Sequence, residues 1–178
     1  MSATLIRRAD LAVSLWRNGA GRKADIATGA GWLIGYAFLD ADAAFSDYAG
    51  HDRTITLVDG PGFSLVDAKG AALDVTTLHR PAPFDGGWRV DCRIHGAPCM
   101  VLNAHTERGR WRHSVTVGPV PSALDPGGAV VDVLVVLAGS VTIGDLVAGR
   151  HDALRLDGPA SLHASADALV CRISVHAV

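Results

Sequence analysis

The sequence is short of the long, unbranched polar residues that usually cover the exposed faces of helices. It has a single glutamate, Glu107, no glutamine, and only two lysines among its 16 Lys and Arg residues. Such residues are strong helix formers at solvent-exposed positions. Their scarcity, together with 20 glycines and 8 prolines, predicts an all-β chain. The single glutamate also excludes any mechanism that needs two of them.

Cysteine is scarce as well, and its pattern bears on the cellular compartment. Cys92, Cys99 and Cys171 form an odd number and include no C-x-x-C pair, which predicts reduced thiols in the cytoplasm. The first eight residues contain no apolar segment of the signal-peptide type. The longest apolar run of the second half, Val133–Ala138, is far shorter than the roughly 20 residues that span a bilayer. We therefore expect a cytoplasmic protein with no membrane partner.

The chain also lacks an excess of positive charge. Its 16 Lys and Arg residues are set against 18 Asp and Glu residues, which gives a formal net charge of −2 at pH 7. Nucleic-acid binding depends on a basic surface that displaces counterions from the phosphates, so we expect no nucleic-acid partner. With 49% hydrophobic and 19% charged residues, the composition is that of a folded domain with a sizeable core.

Short β-branched runs separated by turn residues recur along the chain. Thr54–Val58 and Phe63–Val66, joined by Asp-Gly-Pro-Gly, are typical of a β-hairpin. Cys99–His105 and Trp111–Val117, joined by a short polar loop, predict another hairpin. Strict alternation over Trp88–Ile94 predicts a strand with one apolar, buried face and one charged face. No segment predicts a long helix.

Two segments recur at an offset of 79 residues. Leu57–Gly60 aligns with Val136–Gly139, and Cys92–Ile94 aligns with Cys171–Ile173. This repeat predicts a duplicated antiparallel β unit, in the form of two small barrels or sandwiches packed together.

A boundary between the two halves is predicted where turn residues accumulate. The segment 118–128 is rich in glycine and proline and is typical of a linker. We therefore expect residues 1–118 to form a first half with the polar pocket, and residues 119–178 to form a smaller second half of one compact chain.

Polar residues cluster in the first half in numbers that core packing does not require. The clusters form an ordered series of motifs, and several motifs in order are far more specific than any one alone. They are Trp16-x-Asn18-Gly19-x-Gly21, Trp32 with Ala37, Phe45-Ser46-x-Tyr48-x-Gly50-x-Asp52-Arg53, Phe84-Asp85-Gly86, and Leu102-Asn103 followed by Arg108-Gly109. Over roughly residues 5–110 the chain resembles the HutD/Ves family.

The resemblance implies a double-stranded β-helix, or cupin, fold with two fused β-barrel halves, a bicupin. It also implies an association with bacterial histidine utilisation, in which the family is proposed to act as a regulator that senses a metabolite of the pathway. This chain departs from the family pattern at Ala20, where the family tends to have glycine. It also has His105 and Glu107 where the family tends to have methionine and arginine. These departures concern the expected floor of the pocket.

Metal and nucleophilic chemistry find little support. Cupin metal sites use an H-x-H pair with a glutamate and a distant histidine, because several such ligands must converge on one ion, and this chain has no H-x-H. The nearest substitute is His105-x-Glu107 with His113. There is no G-x-S-x-G motif, and Gly19–Lys23 lacks the spacing of a phosphate-binding loop. We expect no metal, no cofactor and no catalytic residues.

Binding of a carboxylate accounts best for the polar clusters. Arg53 and Arg108 offer planar donor forks that match a carboxylate. Asn18 and Asn103 can pair with amide-like or imidazole-like groups, and Trp16 can stack on a flat or cationic ligand. These five residues are the predicted site. The expected ligand is a small carboxylate metabolite, such as urocanate or formylglutamate.

Three alternatives stay open at this stage. In the first, the same residues are structural: Asn18 caps a turn, Asp52 and Arg53 form an internal ion pair, and Trp16 belongs to the core. In the second, the chain is an isomerase or hydrolase that uses His105 and Glu107 as acid and base. In the third, its strand edges form a homodimer and the role is one of interaction.

Overall fold

The computed structural model describes residues 3–178, and this part of the chain is built from β-strands with a single 3-10 helix, Arg8–Asp10. The prediction of an all-β chain without a long helix is confirmed. Every strand pairing in the described chain is antiparallel. The strands are β1 (Ala3–Ile6), β2 (Val13–Leu15), β3 (Arg22–Gly29), β4 (Trp32–Leu39), β5 (Ala43–Ala44), β6 (His51–Asp59), β7 (Phe63–Val66), β8 (Ala72–Val75), β9 (Pro81–Asp85), β10 (Asp91–Ile94), β11 (Cys99–Glu107), β12 (Trp111–Pro119), β13 (Ala123–Leu124), β14 (Val131–Ala138), β15 (Val141–Ile143), β16 (Leu146–Ala148), β17 (Ala153–Leu156), β18 (Ala160–Ser161), β19 (His163–Ala164) and β20 (Leu169–Ala177).

Contacts divide the described chain into two units. The central unit is Ala12–Arg108, and the flanking unit combines residues 3–11 with Gly109–Val178. This division differs from the boundary expected near residue 118. The difference arises because β12 pairs along its whole length with β20, and β1 pairs with β17, so both strands belong with the C-terminal part of the chain.

The central unit consists of two sheets that share one core. The larger sheet has the order β2-β3-β4-β11-β6-β9, and the smaller sheet has the order β5-β10-β7-β8. Inward-facing residues of both sheets alternate with outward-facing ones and bury large apolar side chains, including Leu39, Ile55, Leu57, Phe63 and Leu65. Burial of such side chains contributes about 1.5–3 kcal/mol each relative to full exposure.

The flanking unit has its own sheets and core. Its largest sheet has the order β1-β17-β14-β20-β12, accompanied by a three-stranded sheet, β16-β15-β19, and the pair β13-β18. Asp152 fastens the start of the chain by accepting hydrogen bonds from the Arg8 amide at 2.9 Å and from the Arg7 guanidinium at 3.0 Å. In the five-stranded sheet, the fully buried Asp132 on β14 forms an ion pair with Arg172 on β20. Asp132 also accepts a hydrogen bond from Ser174 Oγ at 2.9 Å.

Both hairpins expected from the sequence are wrong, although their strands are present. β6 lies in the larger sheet of the central unit between β11 and β9, whereas β7 lies in the smaller sheet. β11 is flanked by β4 and β6, whereas β12 pairs with β20 in the flanking unit. Because both edges of β6 and of β11 are occupied, neither strand has an edge left for the strand that follows it in the chain.

The turn between β6 and β7 shows why the chain changes sheet. Gly60 has a φ of +96° and Gly62 a φ of +107°, values in the left-handed region that favours glycine. A Cβ on Gly62 would lie 2.7 Å from the Val75 carbonyl oxygen. The turn is therefore packed directly against backbone, and two glycines let it cross from one sheet to the other.

The repeat holds for one of its two segments. β14 ends before Gly139, which has a φ of +64°, as β6 ends before Gly60, and in both cases the next strand joins a different sheet. The second segment does not correspond, because Cys92 lies on β10 beside β7, whereas Cys171 lies on β20 beside β14. The counterpart of β20 is β11, since each pairs with the strand that precedes the turn, and each pairing contains a register shift.

The alternation expected over Trp88–Ile94 is confirmed in its burial pattern. Val90 and Cys92 are buried, and Arg89, Asp91 and Arg93 are exposed. Cys92 and Cys171 are both fully buried core residues, and burial raises the pKa of each thiol to about 12. Within residues 3–178, no helix has the length and apolar character needed to cross a membrane.

We expect Gly62→Ala to destabilise the protein more than Gly70→Ala. Both glycines have positive φ, +107° and +82°, but a Cβ on Gly62 would lie within 2.8 Å of backbone, whereas a Cβ on Gly70 meets nothing within 4 Å. The expected loss in the free energy of unfolding is about 1 kcal/mol for Gly70→Ala and at least about 2 kcal/mol for Gly62→Ala. Urea denaturation measures both, and equal losses would contradict the account of this turn.

Candidate functional site

Strand pairing in the larger sheet of the central unit collects polar side chains at one end of its core face. Arg53 on β6 lies opposite His105 on β11, and Asn103 lies opposite Gly35 on β4. Residues two apart on a strand share a face, so Asn103 and His105 point to the same side. Together they border a cavity of about 30 Å³ lined by Trp16, Lys23, Leu33, Gly35, Tyr36, Ala37, Phe45, Ser46, Tyr48, Arg53, Asn103 and His105.

Arg53 is the most unusual group in this cavity. The residue is only 5% exposed, and its guanidinium carbon lies 5.3, 5.2 and 4.8 Å from the ring centroids of Phe45, Tyr48 and Phe84. Each distance is within the range of a cation–π interaction. Three aromatic rings therefore surround a buried cation.

The hydrogen bonds of Arg53 leave much of its capacity unused. One terminal nitrogen donates to the Ser46 carbonyl oxygen at 3.4 Å, and the other donates to Asn103 Oδ1 at 3.5 Å, both at the long end of the usual range. Its Nε is buried with no hydrogen-bond partner. None of the ion pairs found within residues 3–178 includes Arg53.

Burial has an electrostatic effect on this side chain. Removal from water lowers the pKa of Arg53 to about 10, while Tyr48 opposes the shift. The guanidinium therefore remains a cation at pH 7. A buried cation without an anionic partner is costly, because little remains to replace the water it has lost.

Trp16 forms one wall of the cavity. Its indole Nε1 donates to the Arg22 carbonyl oxygen at 2.8 Å, and its ring meets Phe45 edge-on, with the centroids 5.3 Å apart. A Cβ on Gly21 would lie 2.5 Å from the indole ring. The glycine of this motif is therefore needed for close approach of the backbone to the tryptophan.

Asn18 holds the turn that carries Trp16. Its Oδ1 accepts a hydrogen bond from the Ala20 amide at 3.1 Å, and its Nδ2 donates to the Ala44 carbonyl oxygen at 2.8 Å. This is the turn cap named among the structural alternatives. Asn18 also borders a second, open depression of about 480 Å³, together with Arg17, Ser46, Asp47 and Ala49.

Arg108 lies outside the lining of the Arg53 cavity. Its guanidinium donates to Asp52 Oδ1 and to Asp85 Oδ2, both at 2.7 Å, and to the His51 carbonyl oxygen at 3.1 Å. The network joins three strand ends, since Asp52 and Asp85 are opposite each other in the β6–β9 pairing. Asp52 thus pairs with Arg108, and the internal Asp52–Arg53 ion pair considered from the sequence is absent.

The charge network also affects acidity at this edge. A hydrogen bond from the Gly87 amide, and then the Arg108 guanidinium, hold the pKa of Asp85 below its usual value. The two carboxylates in turn raise the pKa of Arg108.

The three possible metal ligands do not come together. His105 lines the cavity and meets Tyr48 edge-on, with ring centroids 4.5 Å apart. Glu107 lies further along β11, opposite His51, and His113 lies on β12, opposite Val175. Across residues 3–178, no three His, Cys, Asp or Glu side chains are grouped so as to hold a metal ion.

Several lining residues were not assigned a role from the sequence. Phe45, Ser46 and Tyr48 belong to one of the quoted motifs, and that motif was the available signal for them. Ser46 Oγ is buried with no hydrogen-bond partner among residues 3–178. Lys23 gave no signal of this kind, because its placement depends on strand pairing across the sheet.

The match to a known family covers most of the chain. A family model described as HutD matches residues 8–172. The chain belongs to the HutD family. The HutD relatives include "Protein Ves" of Cronobacter sakazakii, 30% identical over 139 residues, which are 75% of each chain. A Pseudomonas putida protein described as an uncharacterised 21.2 kDa protein in the hutC 3′ region is 28% identical over 173 residues, 86% of each chain.

A solved structure shows the same fold. HutD from Pseudomonas fluorescens SBW25, determined in a formate condition, matches with a TM-score of 0.81 and 24% identity, and the match covers 99% of each chain. The fold of the present chain is therefore all-β and cupin-like.

We expect Arg108→Met to change how stability depends on pH. With Arg108 removed, the pKa of Asp85 rises toward its unfolded value of about 3.9. A lowered pKa stabilises the folded state above the unfolded value, and the gain is lost as pH falls through the folded value. The stability gap between wild type and variant should therefore be present above about pH 4 and shrink in acid.

Denaturation between pH 2.5 and 7 and an NMR titration of the Asp85 carboxyl carbon measure this effect. Arg89→Met is the matched control. The Arg89 side chain is 90% exposed, and its Nε lies as far as 3.9 Å from Asp47 Oδ2, so its ion pair is weak. A gap for Arg108→Met that stays constant into acid would contradict the expectation.

Proposed function

We propose that this chain is a non-enzymatic binding protein for a small carboxylate metabolite and a regulator of histidine utilisation in the cytoplasm. The observation that carries the proposal is Arg53, a buried cation in a cavity without a carboxylate partner. Arg53 and Asn103 are the anchors, with Trp16 as a wall.

The physical argument starts from the cost of burying a charge. Aromatic faces recover part of the lost hydration of a guanidinium, but they cannot accept its in-plane N–H groups, of which arginine has five. The Nε of Arg53 is unsatisfied, and its two hydrogen bonds are long. A carboxylate oxygen pair matches the guanidinium fork in a bidentate manner. A ligand carboxylate would therefore supply both the missing charge and the missing acceptors.

The size of the cavity suggests which part of a ligand would enter it. About 30 Å³ is enough for a very small group, since a single water needs 10–15 Å³ on this measure. We infer that the carboxylate head enters beside Arg53. The rest of the ligand extends into the open depression of about 480 Å³, whose lining shares Ser46 with the cavity and includes Asn18.

A regulatory role is supported by the descriptions of two matching proteins. The Pseudomonas putida relative is described by its position beside hutC, and the matching structure is called HutD. A binding protein regulates when its ligand favours one of two conformations with different partner affinities. We infer that ligand binding orders the turn that carries Trp16.

We also propose that the two units are the fused barrels of a bicupin.

One observation favours an enzymatic alternative. His105 lines the same cavity as Arg53 and could transfer a proton to or from a bound carboxylate compound. Glu107, its expected partner, is not among the lining residues. Incubation of the protein with the candidate metabolites, followed by NMR of the mixture after the protein is removed, tests this alternative, because turnover leaves the resonances of a product whereas binding leaves the metabolite unchanged.

We expect Arg53→Met to abolish carboxylate binding without unfolding the protein. Calorimetry with acetate, and then with urocanate, formylglutamate, glutamate and histidine, measures the affinity. Removal of a buried, hydrogen-bonded charge partner costs about 2–5 kcal/mol, which corresponds to a loss of about 30-fold or more. In the absence of ligand the variant should be at least as stable as wild type, because a methionine of similar volume replaces an unpaired buried charge.

Arg89→Met is again the control, since it removes an exposed positive charge. Retained affinity in Arg53→Met would overturn the proposed site. Unfolding of this variant would show that Arg53 has a structural role instead.

A further inference from the structure

The Arg53 cavity has a second cationic residue in its lining, and that residue already has a partner. Lys23 lines the cavity, and its Nζ lies 2.5 Å from Asp25 Oδ2. The two residues are two apart on β3 and therefore share a face. Their side chains are 24% and 32% exposed, so the pair is only partly screened by water. Unlike Arg53, Lys23 thus has a carboxylate partner.

The backbone opposite the pair leaves room for it. Asp25 is opposite Gly35 on β4, and a Cβ on Gly35 would lie 3.2 Å from Asp25 Oδ1 and 2.8 Å from the Ala24 carbonyl oxygen. The absence of a side chain at Gly35 lets the carboxylate lie close to the sheet. Asp25 Oδ1 is buried and has no hydrogen-bond partner among residues 3–178, so Lys23 is the group that compensates this carboxylate.

The charges of the cavity can then be counted. Arg53 contributes one positive charge, Lys23 contributes another, and Asp25 cancels that of Lys23. Among these three side chains, one positive charge is left unbalanced. A ligand with one carboxylate neutralises the cavity. A second carboxylate held in this cavity would have to displace Asp25 from Lys23 or remain without a cation of its own.

We propose that Asp25 determines the ligand charge that the cavity accepts, by occupying Lys23 so that compounds with one carboxylate bind in preference to compounds with two. This inference rests on the proposed carboxylate-binding function and adds to it a selectivity between classes of ligand, which favours urocanate, with one carboxylate, over formylglutamate, with two. Asp25 acts here through Lys23 and is a specificity-determining residue that need not touch the ligand.

The test compares acetate and propionate with succinate, glutarate and adipate, whose different lengths allow for the separation of the two cationic groups. Isothermal titration calorimetry gives the affinity of each for wild type, Asp25→Asn, Lys23→Met and the double variant Lys23→Met/Asp25→Asn. Asp25→Asn keeps the shape of the side chain but frees Lys23. We expect it to raise the affinity for the best dicarboxylate, relative to acetate, by about tenfold or more, the scale of a close charge pair.

The double variant is the matched control. It replaces the ion pair with two neutral side chains, so the gain in relative dicarboxylate affinity should disappear if the freed Lys23 causes it. An unchanged ratio in Asp25→Asn, or a gain that persists in the double variant, would overturn the inference.

The failure of this inference can be told apart from the failure of the proposed function. If wild type binds none of the five acids, both fail. If wild type binds acetate, Arg53→Met does not, and Asp25→Asn leaves the ratio unchanged, then only the selectivity inference fails. Circular dichroism and thermal melting of each variant confirm that the comparison is made between folded proteins.

Discussion

The burial of a guanidinium against three aromatic rings is the constraint on which the arrangement of this site depends. Phe45 and Tyr48 come from one short segment and Phe84 from another, and each ring lies against Arg53. A charge removed from water in this way has to be compensated by its surroundings. Here the compensation is incomplete, because the rings cover the faces of the guanidinium while its Nε has no acceptor and its two hydrogen bonds are long.

The way the chain changes sheet provides the space for that site. Since β6 and β7 lie in different sheets, their side chains approach each other across the core and do not pair along a hairpin. The apolar part of this interface is closed by residues such as Ile55 and Phe63. Near the start of β6, on the same face as Ile55, Arg53 takes a position that an apolar residue would otherwise fill. One strand therefore supplies both the core and the cavity, and the packed core fixes the position of the cation.

Local sequence patterns were a good guide to strands and a poor guide to their partners. The alternation around Cys92 predicted its burial, because alternation reports only which face of a strand is apolar. The turn after Asp59 was also recognisable, but a glycine-rich turn does not state which sheet the next strand joins. That choice is made by long-range pairing, in which β11 and β9 occupy both edges of β6. Local sequence contains no record of such competition.

For the candidate site too, the sequence was a better guide to the residues than to their partners. Arg53 and Asn103 were identified from residue type and motif, and they line one cavity. Arg108 has the same chemistry as Arg53, yet it pairs with Asp52 and Asp85, since the β6–β9 register places both carboxylates within its reach. The ion pair between Lys23 and Asp25 could be foreseen from their spacing. Its place beside the cavity could not, because this place depends on Gly35 in the neighbouring strand.

The order in which the chain is synthesised has a consequence for its two units. The central unit is continuous, so every strand it needs is available once residue 108 has left the ribosome. The flanking unit is closed by both ends of the chain, and β1 pairs with β17. Strand β1 is therefore made long before its partner β17, and Leu5 and Ile6 have to wait for about 150 further residues before their partners exist. Contacts of such long sequence separation form slowly, so β1 stays unpaired at least until β17 has been made.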